Sequence, residues 1–180
     1  AGDPIVYVLQ QYFLPEKRVE HLEDKNTNEA PYRKWADRGL LTICPGNRVN
    51  YSDVTAWFCQ MRDEWKIDAI KVGYDRALAG YWVDEMKSNG FDMEAVAQGP
   101  YTWSQPMREM GAALEAKQVN YNGNPILVWC LTNTAVKKSG LNNIQPVKIT
   151  DKRRIDGAVS LLNAWVMYVK YFEDFMYAVG

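Results

Sequence analysis

The sequence has little of what usually carries enzymatic chemistry. It contains one histidine, His21, which excludes a multi-histidine metal site and is expected to be a surface residue. The three cysteines, Cys44, Cys59 and Cys130, are odd in number and form no CxxC pair. They therefore indicate inert reduced thiols rather than a zinc site or a disulfide framework. By elimination, any catalysis should rest on carboxylates.

Other absences limit the class of protein. No stretch approaches the roughly 20 apolar residues of a membrane span, and the N-terminus lacks a signal-peptide pattern, so no membrane partner is expected. No GxxxxGK[ST] loop is present, which excludes a P-loop ATPase. With 21 Lys+Arg against 22 Asp+Glu, a uniformly basic nucleic-acid binder is not indicated. No Pro/Gly/Ser linker divides the 180 residues, which predicts a single domain over 1–180.

What is present is an alternation of strand-like and helix-like segments. Strands are predicted at Ile5–Leu14, Leu40–Cys44, Ile67–Tyr74, Met93–Ala97 and from Ile126 towards Val136. Helices are predicted at Tyr32–Asp37, after Asn50, at Arg76–Asn89, after a Ser104 cap with Pro106 in the first turn, and at Ile155–Phe175. This order predicts an α/β fold with a largely parallel sheet in its second half.

Positive charge is concentrated in one segment. Lys137–Arg154 holds six basic residues and one acid, a net charge of +5, and the pattern predicts a basic loop. Such a loop suits phosphate groups, and a merely solvated loop is the alternative. Its basic residues are Lys137, Lys138, Lys148, Lys152, Arg153 and Arg154.

Two aspartates have positions that suit a metal site. Asp75 ends an apolar strand, where ligands of open α/β sheets bind, although an aspartate there can simply cap the next helix. Asp156 opens the C-terminal helix, whose positive N-terminal end stabilises a carboxylate. The carboxylate there can be a metal ligand, or it can do no more than stabilise the helix. Gly157 beside it would leave room for a phosphate backbone. Two acids on separate elements suit Mg²⁺ or Mn²⁺, one or two ions, which prefer oxygen ligands.

Six motifs in order carry a family resemblance. They are YFLPE (Tyr12–Glu16), PYRKWADRGLLTICPGN (Pro31–Asn47), IDAIKVGYDR (Ile67–Arg76), QGPYTWSQPMREM (Gln98–Met110), GNPILVWCLTN (Gly123–Asn133) and KRRIDGAVSLLNAW (Lys152–Trp165). From about Tyr7 to Tyr168 the chain resembles the C-terminal nuclease domain of the phage terminase large subunit. The resemblance implies an α/β, ribonuclease H-like fold: a mixed sheet flanked by helices, with a long C-terminal helix.

The resemblance also implies an activity, namely metal-dependent endonucleolytic cleavage of concatemeric double-stranded viral DNA. In this family three acids gather around the metals, and the second and third match Asp75 and Asp156. The first acid belongs to an N-terminal strand that has no counterpart in this sequence, and Asp3, followed by Pro4, is not assigned to it. Without that acid the chain is expected to be impaired as an enzyme, and a non-catalytic ribonuclease H-like DNA-binding or docking module is the alternative. A generic α/β enzyme that acts on a small phosphorylated substrate is a weaker alternative.

Partners and location follow from the same resemblance. They are double-stranded DNA, an ATPase domain of the same polypeptide, the small terminase subunit and the portal, in the host cytoplasm and transiently on proheads. Asn133 could lie near the cleft or be a structural amide. Contacts to the DNA backbone are expected from Lys148, Lys152, Arg153 and Arg154.

Overall fold

The computed structural model describes residues 5–24, 30–78, 80–140, 142–151 and 153–179, which form a mixed α/β structure. The strands are β1 Val6–Tyr7, β2 Tyr12–Pro15, β3 Leu41–Cys44, β4 Val72–Asp75, β5 Met93–Val96, β6 Val119–Asn120, β7 Thr134–Ser139 and β8 Asn143–Lys148. The helices are α1 Glu16–Asp24, α2 Tyr32–Asp37, α3 Tyr51–Asp63, α4 Gly80–Ser88, α5 Pro100–Glu115, α6 Pro125–Thr132, α7 Asp156–Lys170 and α8 Phe172–Val179, with a 3₁₀ turn at Arg76–Leu78.

The strands of the described residues pair two by two. β1 pairs with β6, β2 with β3 and β4 with β5, all in parallel, whereas β7 and β8 form an antiparallel hairpin. The predicted α/β class is confirmed. The prediction of a largely parallel sheet in the second half is only partly correct, because β5 and β6 pair in parallel with β4 and β1, whereas β7 and β8 pair with each other in antiparallel. The mixture of parallel and antiparallel pairs is also present, although the strands described do not join into one continuous sheet.

The strand predicted from Ile126 towards Val136 is wrong over Ile126–Thr132, which form part of helix α6, whereas residues from Thr134 onwards form strand β7. The Asn124 side chain accepts hydrogen bonds from the amides of Ile126 (2.9 Å) and Leu127 (3.4 Å), and Pro125 occupies the first helical position. A short helix that is apolar on nearly all sides has no visible helical period, so its sequence is typical of a buried strand as well.

Helix α5 begins earlier than predicted. It starts at Pro100, directly after Gly99, so Ser104 is not its cap and Pro106 lies in its interior. Ser104 is buried and its hydroxyl oxygen accepts the Ile144 amide at 2.8 Å. The hydroxyl is therefore used to attach α5 to β8 rather than to start the helix.

The predicted basic loop is also wrong over half of its length. Residues 134–139 and 143–148 form the β7–β8 hairpin, with Lys137 opposite Gln145 and Lys138 opposite Ile144. Lys137 and Lys138 are exposed on neighbouring positions of β7, so they face opposite sides of the hairpin. The period-2 pattern was missed because the strand surface is largely polar on both faces.

Helix α7 forms the largest part of the core. Leu161, Leu162 and Trp165 pack with Trp103 of α5 and Leu127 of α6. The predicted helix Ile155–Phe175 is broken at Tyr171 into α7 and α8. In the described ranges no helix is both long and apolar enough to cross a bilayer.

The C-terminal end of α7 is fixed by a polar network. Glu94 of β5 accepts hydrogen bonds from the Lys170 ammonium and the Tyr171 hydroxyl. These two donors, the lysine first, hold the pKa of Glu94 below its ordinary value. The ionised carboxylate is therefore the form that stabilises this attachment of α7 to β5.

We expect Glu94→Gln to lower the free energy of unfolding by up to about 1 kcal/mol at pH 7, the range of exposed ion pairs. Folding lowers the pKa of Glu94 below its ordinary value of 4.5. The contribution of Glu94 to the free energy of unfolding is therefore complete above pH 4.5, and it is lost as the pH falls through the lower pKa of the folded state. Urea unfolding at pH 7 and pH 3 measures this. Exposed Glu115→Gln on α5 is the control, and an equal loss from Glu94→Gln at both pH values would contradict the assignment.

Candidate active site

Asp75 lies at the carboxyl end of β4 and is half-buried. Its Oδ1 accepts a hydrogen bond from the Ala77 amide at 2.9 Å, which begins the 3₁₀ turn. Capping of the 3₁₀ turn, the alternative role of this aspartate, therefore uses one of its two carboxylate oxygens. The second oxygen accepts no hydrogen bond from any described residue, so it remains available for a ligand.

Asp156 is the first residue of α7, after Ile155, whose apolar side chain cannot cap the helix. The carboxylate is exposed and makes no hydrogen bond or ion pair within the part of the chain described by the structure. It lies at the positive end of the helix dipole, where a negatively charged side chain is stabilised. Both oxygens are therefore open to solvent or to a ligand.

Helix α7 runs along β4 in the opposite direction. The Lys71 ammonium, directly before β4, lies 4.7 Å from the centre of the Tyr171 ring, directly after α7. Further along the strand, a Cβ atom placed on Gly73 would lie 2.7 Å from the Cγ of Met167 and 3.3 Å from the carbonyl oxygen of Asn163. The contacts thus move towards the start of the helix as the strand proceeds.

This direction puts Asp75 and Asp156 at the same end of the strand–helix layer. From Gly73, the strand advances about 7 Å to Asp75 at roughly 3.3 Å per residue. From Asn163, the helix goes back about 10 Å to Asp156 at roughly 1.5 Å per residue. Along their common axis the two aspartates are therefore offset by about 4 Å when the count starts from Asn163, and by about 10 Å when it starts from Met167, which also faces Gly73.

Two carboxylates fit a hard divalent cation. Magnesium usually keeps several waters and is held by one or two protein carboxylates together with substrate phosphate oxygens. The free oxygens of Asp75 and Asp156 match that requirement. Within residues 5–24, 30–78, 80–140, 142–151 and 153–179, no group of three or more His, Cys, Asp or Glu side chains could hold a metal ion.

Asn133 brings the predicted basic residues together. Its side-chain amide donates to the Arg154 carbonyl at 3.1 Å, and its backbone carbonyl accepts the Ile149 amide at 3.0 Å. The end of β8, with Lys148, is thereby attached beside the segment that leads into α7. The structural-amide interpretation of Asn133 is correct, and sequence spacing could not reveal that it organises the basic cluster.

Three of the four predicted backbone-contact residues can be assigned. Lys148 and Arg153 are exposed, and Arg154 is half-buried. Lys152 lies outside the described residues. The exposed cations flank the start of α7 and hence Asp156, so a polyanion that reached this aspartate would meet them.

The hypothesis that Gly157 leaves room for a phosphate is wrong. A Cβ atom on this buried glycine would lie 2.9 Å from the Tyr12 ring and 3.1 Å from the Cys130 sulfur, so protein fills the space. Burial raises the pKa of both the Tyr12 hydroxyl and the Cys130 thiol, and both groups are neutral at pH 7. Gly157 therefore serves close packing of α7 against β2 and α6.

The remaining histidine and cysteines have no place in this site. His21 is exposed on α1, as predicted. Cys44 and Cys130 are buried, Cys59 is half-buried, and all three are free thiols.

Comparison with known proteins gives the family. Residues 1–171 match the family described as terminase large subunit, endonuclease domain. The chain belongs to this family. The terminase large subunit of Enterobacteria phage HK97 is 27% identical over 168 residues, which cover 89% of the chain and 32% of that protein. Protein YmfN of Escherichia coli K12 is 30% identical over 149 residues, 81% of the chain and 32% of that protein.

Solved structures agree with this terminase assignment. The HK97 large terminase superposes with a TM-score of 0.80 at 25% identity, over 93% of the chain and 34% of that structure. The large terminase nuclease of thermophilic phage G20c with bound magnesium gives 0.50 at 14% identity over 66% of the chain and 62% of that structure, which supports the fold alone. The predicted ribonuclease H-like class is confirmed. The terminase chain spans about a third of the length of its curated relatives.

Proposed function

We propose that this terminase domain is a divalent-metal-dependent endonuclease that hydrolyses phosphodiester bonds of concatemeric double-stranded DNA during viral packaging. The observation that carries the proposal is the position of Asp75 and Asp156 at one end of the β4–α7 layer, beside exposed cations. Membership of the endonuclease-domain family supports it. The magnesium bound by the G20c nuclease supports the choice of ion, with Mn²⁺ as the usual substitute and one or two ions per site.

The residues divide the chemistry between them. Asp75 contributes the oxygen that does not bond to Ala77, and Asp156 contributes an unpaired carboxylate at a helix N-terminus. When bound, a divalent cation supplies positive charge against the phosphate and makes water more acidic. Lys148, Arg153 and the neighbouring Lys152 and Arg154 hold the DNA backbone without reading its sequence.

The domain acts within a larger assembly. We propose that residues 1–180 form one nuclease domain of a polypeptide that also carries an ATPase domain, with the small terminase subunit and the portal as further partners. The site of action would be the host cytoplasm, transiently on proheads. Relatives about three times as long support the larger polypeptide.

A second function is favoured by one specific observation. The described residues hold no group of three or more His, Cys, Asp or Glu side chains that could bind a metal ion. A non-catalytic ribonuclease H-like module that binds DNA or docks to packaging proteins would need the basic residues but not a complete metal site. This alternative predicts DNA binding without cleavage.

The deciding experiment is nicking of supercoiled plasmid by the chain at increasing Mg²⁺ or Mn²⁺. The nuclease proposal expects cleavage that depends on the ion and stops in excess EDTA. Cleavage that persists in excess EDTA would contradict the requirement for a metal ion. Salt-sensitive DNA binding without cleavage at any metal concentration would favour the non-catalytic binding module.

DNA binding is tested separately by titrating a duplex at several salt concentrations. Lys148→Gln and Arg153→Gln should each weaken binding on all sequences and reduce the slope of log K against log salt by about 1, as loss of a phosphate contact does. Lys87→Gln on α4 is the matched control. Equal effects of all three substitutions would show that only net charge matters.

A further inference from the structure

Two tyrosine side chains of this domain lie almost wholly in solvent. Tyr81 is 96% exposed and Tyr101 is 91% exposed. Among the large hydrophobic side chains that the structure describes, Tyr177, at 92%, is the one other with comparable exposure. Neither the Tyr81 nor the Tyr101 side chain makes a hydrogen bond or a ring contact with another described residue. Both rings are therefore open to a ligand.

The two tyrosines occupy equivalent places after neighbouring strands. β4 and β5 pair in parallel, with Asp75 opposite Val96 at their carboxyl ends. The helix that follows β4 begins at Gly80, and the helix that follows β5 begins at Pro100, so each tyrosine is the second residue of its helix. Because the carboxyl ends of parallel strands meet at one edge of a sheet, both tyrosines follow the edge at which Asp75 lies.

The connecting segments are short, which keeps both rings close to that edge. Tyr81 comes six residues after Asp75, and three of those residues form the 3₁₀ turn, which rises only about 2 Å per residue. Tyr101 comes five residues after Val96, and an extended residue spans at most about 3.6 Å. Each tyrosine therefore lies within about 18 Å of its strand end. That distance corresponds to roughly five base pairs of a duplex, at about 3.4 Å per pair.

The charge along these segments suits a polyanion. Residues 76–80 and 97–100 contain no acid, and the one charged residue in them is Arg76. Arg76 is exposed and directly follows Asp75, and its side chain makes no hydrogen bond or ion pair with another described residue. The approach from Asp75 to Tyr81 therefore carries a free positive charge that can meet a phosphate.

A DNA base is the ligand that matches an exposed tyrosine ring at this place. The ring has a flat face and few torsions, so ordering it costs little conformational entropy. Every base has a π face, so stacking on a ring is tolerant of sequence, as the backbone contacts are. In a fully paired duplex those faces are covered by neighbouring bases. Unpaired bases offer their faces without the cost of unstacking.

We propose that Tyr81 and Tyr101 stack on DNA bases beside the phosphate that lies at Asp75. The site then takes DNA with unpaired bases near the cut in preference to a fully paired duplex. This inference rests on the proposed function, because it needs DNA at the carboxyl end of β4. It adds base contacts on one side of the site to the backbone contacts of the basic residues.

The test compares two duplexes of about 30 base pairs that differ only in a central bubble of about five mismatched pairs. The bubble carries 2-aminopurine, whose fluorescence falls when it stacks. Binding is measured in Ca²⁺, which also takes oxygen ligands, and a gel confirms that the strands stay intact. The parent chain should bind the bubble duplex at least about tenfold more tightly than the paired duplex and should quench the probe.

Substitutions separate stacking from other roles of the two tyrosines. Tyr81→Ser and Tyr101→Ser should each weaken binding of the bubble duplex at least about fivefold, the lower limit for loss of one stacked base, and should reduce the quench. Tyr81→Phe and Tyr101→Phe keep the ring and should behave as the parent chain. Tyr177→Ser is the matched control, because α8 follows Tyr171 at the opposite end of the β4–α7 layer, and it should change neither property.

The possible outcomes separate this inference from the nuclease proposal. Equal affinity for the two duplexes, or no quench by the parent chain, overturns the stacking proposal. Serine variants that behave as the parent chain also overturn it and assign the tyrosines to a protein partner. Phenylalanine variants as weak as the serine variants overturn it in favour of hydroxyl contacts to phosphate. A quench that depends on both rings, in a chain that nicks no plasmid in Mg²⁺ or Mn²⁺, supports stacking and contradicts the nuclease proposal alone.

Discussion

Replacement of Asp75 or Asp156 by asparagine should reduce metal-dependent nicking at least about a hundredfold, since even the outer partners of metal ligands cost 10–100-fold when removed. Asparagine keeps the size of the side chain and, at position 75, an oxygen that can accept the Ala77 amide. It removes the negative charge that a hard cation requires. The fold and its thermal midpoint should therefore change little while the activity is lost.

Metal binding and nicking activity are measured on the same variants, so that a loss of activity can be traced to a loss of the ion. Mn²⁺ binding, followed by its electron paramagnetic resonance signal, should weaken in both variants even where basal cleavage by the chain is low. Asp84→Asn, an exposed acid on α4, is the control and should leave both properties unchanged. If Asp75 and Asp156 hold the same ion, the double variant should be no worse than the worse single variant. Full activity in both single variants would remove these residues from the site.

The positions of both aspartates could be predicted because each follows from a local pattern. β4 is an apolar run that ends at Asp75, and α7 carries a clear helical period that begins at Asp156. The position of both at one end of the β4–α7 layer could not be predicted from either pattern. It depends on α7 lying antiparallel to β4, which close packing at Gly73 and the polar network at Glu94 establish in three dimensions.

The failures have physical causes of their own. The residues of helix α6 predict a strand because its two exposed positions, Val128 and Thr132, are too few to show a helical period. The β7–β8 hairpin was taken for a loop because Lys137 and Lys138 interrupt its alternation. The same side chains that hide the hairpin in the sequence provide its positive charge, so the charge of the segment could be predicted and its secondary structure could not.

Gly157→Ala should lower the free energy of unfolding by about 1–3 kcal/mol, the usual cost of overpacking a filled interior. The new methyl group would lie 2.9 Å and 3.0 Å from the Cε1 and hydroxyl oxygen of Tyr12, and 3.1 Å from the sulfur of Cys130. The Tyr12 hydroxyl donates to Gln10 at 2.7 Å, so the ring cannot turn away without breaking that bond. Valine at 157 should cost more still.

Gly111→Ala on α5 is the matched control, measured by the same urea titration. This glycine is also helical, but no heavy atom lies within 4 Å of its added Cβ, so alanine should stabilise the chain by up to about 1 kcal/mol through helix propensity. Truncating a neighbour should offset the clash: Gly157→Ala combined with Cys130→Ala should cost less than the sum of the two single changes, since they share one space. Strict additivity, or Gly157→Ala as stable as the parent, would show that α7 can move away from β2. In that case the position of Asp156 would not be fixed by this packing.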